Sequence, residues 1–233
     1  MILGHVIGEF YLIDLKKQAI KWKLLYEFLY GCTFMIISIP VINVDVVILN
    51  SCIWALHLVT NSVSWFIERK IKINLFFIKQ IVFVAGIIIA SYISVKLGLQ
   101  LQCILVVQDF FEIVNISEIM VCKWTLGLLI IHKPANQLIQ VLIPNYKPKN
   151  IENVTDKEEN KKIGRVIGTV ERAIMLLLIY MNQYAAIGLV LTAKSIARYD
   201  KIAKEKNFAE YYLLGTLLSL GIVVVCGVLL FGA

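Results

Sequence analysis

Residues 164–199 run GRVIGTVERAIMLLLIYMNQYAAIGLVLTAKSIARY, and this stretch decides the class of fold. Its apolar part, 173–193, has the roughly twenty residues that a helix needs to cross a bilayer. Charged side chains beside such a segment are costly in lipid, so they either stabilise the structure or carry a function. Four of them flank the apolar part: Glu171, Arg172, Lys194 and Arg198. We therefore predict a membrane-spanning helix with buried or interfacial charges at both ends.

The composition of the whole chain agrees with this prediction. Hydrophobic residues make up 59% of the 233 residues and charged residues only 17%, whereas soluble domains are roughly 45–50% apolar and about 25% charged. Further apolar segments of nearly membrane length cover 24–42, 46–67, 75–96, 117–132 and 211–231. We predict an all-α, multi-pass helical membrane protein with about six transmembrane helices.

A polar segment divides the predicted helices into two blocks. Residues 133–165 contain three of the four prolines and a run of mixed charge, and they have too few apolar residues to form a core. We predict an N-terminal membrane block over 1–132, a polar linker over 133–165 and a C-terminal membrane block over 166–233. Together they make one membrane domain.

Three other segments are expected to be helical without being clear spans. Residues 2–15 predict a short N-terminal helix. Residues 194–206 form a basic amphipathic stretch, which can lie along the membrane surface with its charges among the headgroups. Residues 99–115 are apolar but carry Asp109 and Glu112, so an interfacial or protein-buried helix is expected there.

The net charge of +7 lies mainly in the predicted loops and helix ends, where basic residues are an orientation signal. The lysines at 16–23, the basic turn at 69–72 and the linker can share the cytoplasmic side. The basic stretch at 194–206 then falls on the other side, so the orientation stays open. We expect the lipid bilayer and a protein as partners and no nucleic acid, and the sequence does not fix the oligomeric state.

One predicted helix, 46–67, carries a stripe of polar side chains. Positions i, i+4, i+7, i+11 and i+14 share one helix face and hold Asn50, Trp54, His57, Asn61 and Ser64. This face should contact protein or a water-filled cavity and not lipid. Two interpretations stay open. His57 is a metal ligand or proton carrier, or the stripe supplies hydrogen bonds between helices worth about 0.6 kcal/mol each.

The predicted N-terminal helix carries a similar pair. His5 and Glu9 stand four residues apart, so both side chains reach the same point on one face. A histidine and a carboxylate at this spacing can hold a divalent metal or share a proton. The candidate metal ligands are His5, Glu9, His57 and Asn61, although an amide is a weak substitute for a carboxylate and zinc prefers three or four ligands. No other cofactor is expected.

A second set of polar residues lies beside or within the apolar segments of the C-terminal block. Glu171 and Arg172 are adjacent and point about 100° apart on a helix, so each needs a partner from another helix. An ion or headgroup site and a buried structural role both remain open for them. The full set of candidate intramembrane polar residues is Asn50, Trp54, Glu171, Arg172, Gln183, Lys194, Arg198 and Glu210.

A longer C-terminal pattern carries a resemblance to a known family. It consists of Gly164, Gly168, Glu171, Arg172, Gln183, Ala186, Gly188, Lys194, Ser195, Arg198, Glu210, Tyr211, Tyr212, Gly215, Thr216 and Ser219. These residues resemble the uncharacterised bacterial membrane family called domain of unknown function 3307. The resemblance implies a small multi-pass protein of the cytoplasmic (inner) membrane, and it supplies no established reaction.

The N-terminal half departs from the pattern of that family. The resemblance implies pairs of the form H-x-x-x-D, but this chain has Glu9 and Asn61 at the acidic positions. If the family pattern is a metal or catalytic centre, this chain has lost it. The region that matches the family pattern best is then the C-terminal one, which fits a partner-binding or regulatory role.

Hypotheses from different classes follow. We favour a non-enzymatic membrane component that binds a partner through the linker and the basic stretch at 194–206. The alternative is a membrane-embedded metal-dependent hydrolase, in which His5, Glu9 and His57 surround the metal. A small transporter is a third hypothesis, although the second half does not mirror the first. No catalytic or nucleotide-binding motif names a substrate, so whether the chain is an enzyme stays open.

Overall fold

The computed structural model describes residues 1–12, 20–71, 75–99, 103–143 and 154–232. All regular elements in these ranges are helical, which confirms the all-α prediction for them. The first half contains α1 (Ile2–Val6) with a π-helical turn (Ile7–Tyr11), α2 (Ile20–Ile37), a 3-10 turn (Ile39–Val41), α3 (Val44–Ile71), α4 (Phe76–Lys96) and α5 (Leu105–Val114). The second half contains α6 (Glu118–Leu142), α7 (Val154–Tyr180), α8 (Tyr184–Ile196), α9 (Tyr199–Lys204) and α10 (Lys206–Phe231).

Several of these helices have the length and composition of membrane spans. Three described segments are long and apolar enough to cross a membrane: Val44–Lys70, Ile78–Lys96 and Lys206–Phe231. The number rises to four if α5 and α6 together make one broken span. Two further apolar helices, Leu25–Ile37 and Tyr184–Ile196, are shorter. The chain therefore has the helices of a membrane protein, but the described residues hold three or four candidate spans and not the predicted six or so.

The apolar segment 173–193, predicted to be one span, is two helices. α7 ends at Tyr180 and α8 begins at Tyr184, and Asn182 between them has a φ of 57°. Asparagine tolerates this left-handed conformation better than most residues, because its short side chain can hydrogen-bond locally. Main-chain N–H groups of the turn bond back to carbonyls of α7. Apolar residues on both sides conceal this turn in the sequence.

The predicted polar linker, 133–165, is helical over most of its described part. α6 continues through Pro134, and α7 begins well before the predicted end of the linker. Residues 144–153 lie outside the described ranges. Pro134 has no N–H for the carbonyl of Ile130 one turn earlier. In the same turn the carbonyl of Ile131 accepts a hydrogen bond from a side chain of α7, so a contact between helices holds this part of α6.

The chain forms two compact units, Met1–Cys122 (unit 1) and Lys123–Ala233 (unit 2). This boundary lies within α6, whereas the sequence pattern places the end of the first block at 132. The difference arises because Ile131 of α6 is fully buried in the core of unit 2. A helix that looks like the end of one block in the sequence is thus mainly part of the other.

Aromatic and aliphatic side chains of α2, α3 and α4 form the core of unit 1. Its buried members are Tyr26, Tyr30, Phe34, Leu49, Ile53, Phe83 and Ile87. Gly8 lies so close to Tyr30 that a Cβ atom would come within 2.5 Å of the ring. The missing side chain therefore lets the N-terminal π-helical turn pack directly on α2.

The core of unit 2 lies between α6, α7, α8 and α10. Its buried members are Ile131, Met175, Leu176, Ile179, Ile187, Val223 and Cys226. α7 and α10 approach each other closely, since a Cβ atom on Gly227 would come within 2.6 Å of Ile179. This close packing fixes the positions from which α7 and α10 direct their polar residues toward each other.

The segments expected to lie outside the spans are short helices. Of 2–15, the described part is α1 with its π-helical turn, and 13–15 lie outside the described residues. Of 99–115, residues 100–102 lie outside the described ranges, and the helix in the described part is α5, which has no buried residue. The basic stretch at 194–206 covers the end of α8, all of α9 and the start of α10, and it is largely exposed.

Candidate functional site

A buried hydrogen-bonded cluster in unit 1 surrounds His57, and we call it the histidine network. Its members are His5, Glu9, Tyr26, Glu27, Tyr30, His57, Asn61 and Gln80. The Nδ1 atom of His57 lies 3.0 Å from a carboxylate oxygen of Glu27, and its Nε2 atom lies 3.5 Å from one of Glu9. The imidazole thus stands between two carboxylates, and its ring is stacked on that of Tyr30 with the centroids 3.5 Å apart.

Neutral side chains complete the histidine network around Glu9 and His5. The hydroxyl of Tyr26 donates to Glu9 at 2.7 Å, and the side-chain amide of Gln80 donates to the same carboxylate at 3.3 Å. The two ring nitrogens of His5 contact the Tyr30 hydroxyl and the Gln80 amide oxygen, both at 2.8 Å. Buried polar groups need such partners, and these contacts let imidazoles and carboxylates lie among apolar helices.

The polar stripe of α3 faces other protein segments. Asn61 donates to the Glu27 carboxylate at 2.8 Å, and the Trp54 indole donates to the main-chain carbonyl of Glu27 at 2.9 Å. Asn50 donates to the Ser38 hydroxyl at 2.9 Å. These contacts join α3 to α2 and to the turn that follows α2. They favour the interpretation in which the stripe supplies hydrogen bonds between helices.

The four candidate metal ligands lie near one another. The rings of His5 and His57 have centroids 6.4 Å apart, and both Glu9 and Asn61 contact His57. Within the described ranges, however, no group of three or more His, Cys, Asp or Glu is placed to hold a metal ion. The ring nitrogens of both histidines contact tyrosine, glutamine and glutamate side chains. The spacing seen in the sequence therefore brings these residues together as hydrogen-bonding partners.

Unit 2 contains a cavity of about 520 Å³, which we call the basic cavity. Residues of α6, α7 and α10 line it, together with residues from the end of α8 to α9. Five of the lining residues are basic: Arg165, Arg172, Lys194, Arg198 and Lys201. In the part of the chain that the structure describes, the lining contains no aspartate or glutamate. The cavity is therefore electropositive.

Arg172 is the buried cation of the basic cavity, with only 2% of its surface exposed. Its guanidinium donates to four acceptors: the carbonyl of Ile131 at 2.7 Å, the amide of Asn136 at 2.8 Å and the hydroxyls of Thr169 and Ser219 at 3.3 Å. All four acceptors are uncharged, and no carboxylate among the described residues bonds to this guanidinium. The four bonds account for four of its five N–H groups.

Two aromatic rings on α10 contact cations of the cavity lining. The Lys194 ammonium and the Arg198 guanidinium lie 5.6 and 5.8 Å from the centre of the Tyr212 ring. The Lys201 ammonium lies 4.8 Å from the centre of the Phe208 ring. Such cation–π contacts contribute about 0.5–1 kcal/mol each at exposed sites. The hydroxyl of Tyr212 is buried and has no hydrogen-bond partner among the described residues.

Lys194 is the one lining cation that forms an ion pair in the described structure, and its partner is Glu171. Both side chains are partly buried. Glu171 thus reaches α8, whereas its neighbour Arg172 reaches α6 and α10. This separation agrees with the expectation that adjacent residues on a helix need different partners.

The predicted set of intramembrane polar residues is divided between the two units. Asn50 and Trp54 belong to unit 1. Three of the remaining residues line the basic cavity: Arg172, Lys194 and Arg198. Glu171 forms an ion pair with Lys194. Gln183 and Glu210 are exposed and do not line the cavity. The predicted set therefore contains three of the five basic residues that line the cavity.

Some of the unmarked cavity residues did leave a signal in the sequence. Arg165 stands seven residues before Arg172, which places both on one face of α7. Lys194, Arg198 and Lys201 follow the spacing i, i+4, i+7, although the helix is interrupted between α8 and α9. Tyr211 and Tyr212 of α10 belong to the C-terminal pattern on which the family resemblance rests, but only the packing of helices brings them to the cavity.

Comparison with known proteins adds no relative. No protein-family model matches the chain, and neither a curated protein nor a solved structure matches it. The resemblance to domain of unknown function 3307 stays an expectation from the residues quoted for it. The class that the geometry defines is a helical protein with membrane-length helices, which holds a histidine network in one unit and a basic cavity in the other.

Proposed function

We propose that this protein is a non-enzymatic membrane component that binds an anionic partner through the basic stretch at 194–206 and the basic cavity. The proposal includes a multi-pass placement in the cytoplasmic membrane of a bacterium. The observation that carries it is the convergence of five basic side chains on one cavity, with no acidic residue in the described lining. Three of these cations come from the basic stretch itself: Lys194, Arg198 and Lys201.

The electrostatics of the cavity support the binding of an anion. Like charges around one cavity repel each other, and they do so more strongly where water is partly excluded. Arg172 adds a buried charge with neutral acceptors only, and an unpaired buried charge costs several kcal/mol. A bound anion would offset both the repulsion between the cations and the cost of burying the Arg172 charge. The arrangement is therefore most stable when a negative group occupies the cavity.

The lining residues favour binding over catalysis. Acid–base and covalent catalysis rely mainly on histidine, carboxylates, cysteine or an activated hydroxyl. The described lining has no histidine, cysteine or carboxylate. Ser219 accepts a hydrogen bond from Arg172, whereas activation of its hydroxyl would require a base that accepts its proton. These features support a site that holds its ligand without changing it.

The exposed cations offer a route to the buried one. Arg198 and Lys201 are exposed, Lys194 is partly buried and Arg172 is almost fully buried. An anionic group can therefore meet the exposed cations first and move toward Arg172 with its charge compensated throughout. The predicted linker, 133–165, was expected to contribute to partner binding too. Its described residues include Arg165 and Asn136 of the cavity lining, whereas 144–153 lie outside the described residues.

The test measures thermal stability of the detergent-purified protein with pyrophosphate as the anionic probe, at constant ionic strength set with sodium chloride. Ligand binding to the folded state raises stability by about 2.7 kcal/mol at one hundred times the dissociation constant, so the melting temperature should rise with probe concentration. The double variant Arg198→Gln/Lys201→Gln should lose most of this rise. Both side chains are exposed, so the variant should still fold.

A matched control removes the same charges from unit 1. Arg69→Gln/Lys70→Gln replaces one exposed arginine and one exposed lysine outside the cavity. This variant should keep the full response to pyrophosphate. An equal loss in both double variants, or no response of the unchanged protein, would overturn the proposal.

The metal-dependent hydrolase is the second candidate, and one observation favours it. His5, Glu9 and His57 are all buried and lie in the same histidine network, with Glu9 3.5 Å from the His57 ring. A shift of these side chains could turn them toward a common ion. The measurement is metal content of the purified protein beside the double variant His5→Ala/His57→Ala. Stoichiometric metal that disappears in the variant would favour the hydrolase over the non-enzymatic proposal.

A further inference from the structure

The geometry of the basic cavity also indicates the chemical class of its ligand. Resting on the anion-binding function proposed above, we propose that the cavity binds a phosphate monoester, as the headgroup of a lipid or on a soluble molecule. The phosphate would contact Arg172 at the buried end and the Tyr212 hydroxyl in the wall. Three observations carry this inference: the number of cations, the unpaired donors and the apolar part of the lining.

The number of cations exceeds what a single negative charge can compensate. Of the five basic side chains in the lining, only Lys194 has a carboxylate partner among the described residues. A carboxylate or a phosphate diester brings one negative charge, whereas a phosphate monoester carries about −1.5 to −2 at neutral pH and three acceptor oxygens. Arginine matches such oxygens with two parallel N–H groups, and two of the cations besides Arg172 are arginines.

Donors without protein partners belong to residues of the same lining. The Tyr212 hydroxyl is buried without a hydrogen-bond partner in the described chain, which ordinarily costs about 1–3 kcal/mol. Arg172 retains one N–H group beyond its four bonds. Ser219 accepts from Arg172, so its own proton remains for another acceptor. A tetrahedral oxyanion would supply acceptors to all three residues.

Three glycines contribute to the lining of the cavity. A Cβ atom on Gly168 would come within 3.3 Å of the Arg172 guanidinium, so the arginine packs directly on the main chain there. A Cβ atom on Gly164 or Gly215 would meet nothing nearer than 3.9 Å, so open space lies beside both of these glycines. This space leaves room for phosphate oxygens.

Part of the remaining lining is apolar, which favours a lipid as the source of the phosphate. Four isoleucines contribute to the wall: Ile139, Ile143, Ile163 and Ile167. The candidate span Lys206–Phe231 begins at its charged end, and Tyr212 lies about 9 Å along the helix from there at a rise of 1.5 Å per residue. Tyrosines at that depth are typical of the boundary between headgroups and hydrocarbon. A lipid phosphate at this level could place its chains against the isoleucines.

The test compares ligands that differ in one property at a time, by native mass spectrometry and thermal shift of the detergent-purified protein. Phosphatidic acid carries the monoester, phosphatidylglycerol carries a diester, and oleate carries a carboxylate. We expect phosphatidic acid to bind at least tenfold more tightly than the other two. Glycerol 3-phosphate tests the soluble source, and the lipid source is favoured if phosphatidic acid binds more tightly than it does.

Tyr212→Phe separates a ligand contact from a structural role. The substitution removes an unpaired hydroxyl, so the protein without ligand should be as stable as before or more so. Affinity for phosphatidic acid should nevertheless fall about fivefold or more. The neighbouring Tyr211→Phe, which also changes a tyrosine of the cavity lining, is the matched control and should change affinity less.

The outcomes distinguish this inference from the function on which it rests. If all three anionic lipids bind equally and Arg198→Gln/Lys201→Gln weakens them, anion binding stands and the phosphate monoester is overturned. If no anionic ligand binds, both proposals are overturned. If phosphatidic acid is preferred but Tyr212→Phe leaves its affinity unchanged, the assignment of the tyrosine hydroxyl is overturned.

Discussion

Arg172 donates a hydrogen bond from its Nε atom to the main-chain carbonyl of Ile131 at 2.7 Å, which joins α7 to α6. Ile131 lies in the turn before Pro134, where the helix lacks one N–H donor. A positively charged side chain of one helix therefore holds the turn of another beside a proline, within unit 2. This contact stabilises α6 in a segment whose composition predicts a linker.

The substitution Arg172→Met should lower the free energy of unfolding. Methionine keeps much of the side-chain volume, but the Ile131 carbonyl and the Asn136 amide lose their donor. Each buried acceptor without a partner costs about 1–3 kcal/mol, and removal of the buried charge offsets part of this, so we expect a net loss of about 1–3 kcal/mol. The measurement is thermal unfolding followed by circular dichroism. Arg198→Met, at an exposed cation of the same cavity, should change stability by less than about 0.5 kcal/mol, and an equal effect of both variants would contradict the role of Arg172.

Gly8→Ala should destabilise unit 1. The new Cβ atom would lie 2.5 Å from the Tyr30 ring, so the π-helical turn or the ring must move. Overpacking of this kind costs about 1–3 kcal/mol. Gly188→Ala is the control, since a Cβ atom there meets nothing within 4 Å and alanine is favoured in a helix by about 0.5–1 kcal/mol. In chemical unfolding, the free energy of unfolding should be lower for Gly8→Ala and higher for Gly188→Ala than for the unchanged protein. An unchanged free energy of unfolding in Gly8→Ala would argue against this packing.

The pairing of His57 with Glu27 can be measured by a double-mutant cycle. His57→Phe keeps an aromatic ring against Tyr30 but leaves the Glu27 carboxylate without its imidazole partner. We expect a loss of about 1–3 kcal/mol, because the partly buried Glu27 carboxylate then keeps only the hydrogen bond from Asn61. Adding Glu27→Gln should recover part of this loss. Effects that simply add would show that the two side chains do not act as a pair.

The sequence predicts the helical class and parts of both sites through helix periodicity. A period of 3.6 residues decides which side chains share a face, so the stripe of Asn50, Trp54 and His57 could be recognised before any packing was known. The same rule placed His5 beside Glu9. It could not supply Glu27 and Gln80, which contact these residues from other helices. The histidine network is for that reason a set of hydrogen bonds that the metal hypothesis did not anticipate.

The number of spans and the linker were harder to predict, for two local reasons. Asn182 ends a helix inside an apolar run by adopting a left-handed conformation, and hydropathy does not register backbone dihedral angles. Pro134 lies within α6, where composition predicts a break and a contact from Arg172 supports a neighbouring carbonyl. In both cases, the conformation or tertiary contact of one residue determines whether a helix ends or continues, and the average composition of the segment does not show this.

Glu171→Gln should increase the affinity of the basic cavity for phosphatidic acid. Glu171 is the acidic partner of Lys194, so it competes with the ligand for that cation. Removing the competing charge from a partly buried pair should strengthen binding by about 0.7–1.4 kcal/mol, a factor of about three to ten. Glu210→Gln makes the same change at an exposed acid of α10 outside the lining and should alter affinity less than twofold. Equal gains in the two variants would indicate a long-range effect of net charge, whereas a loss of folded protein without any gain in affinity would make the Glu171–Lys194 pair purely structural.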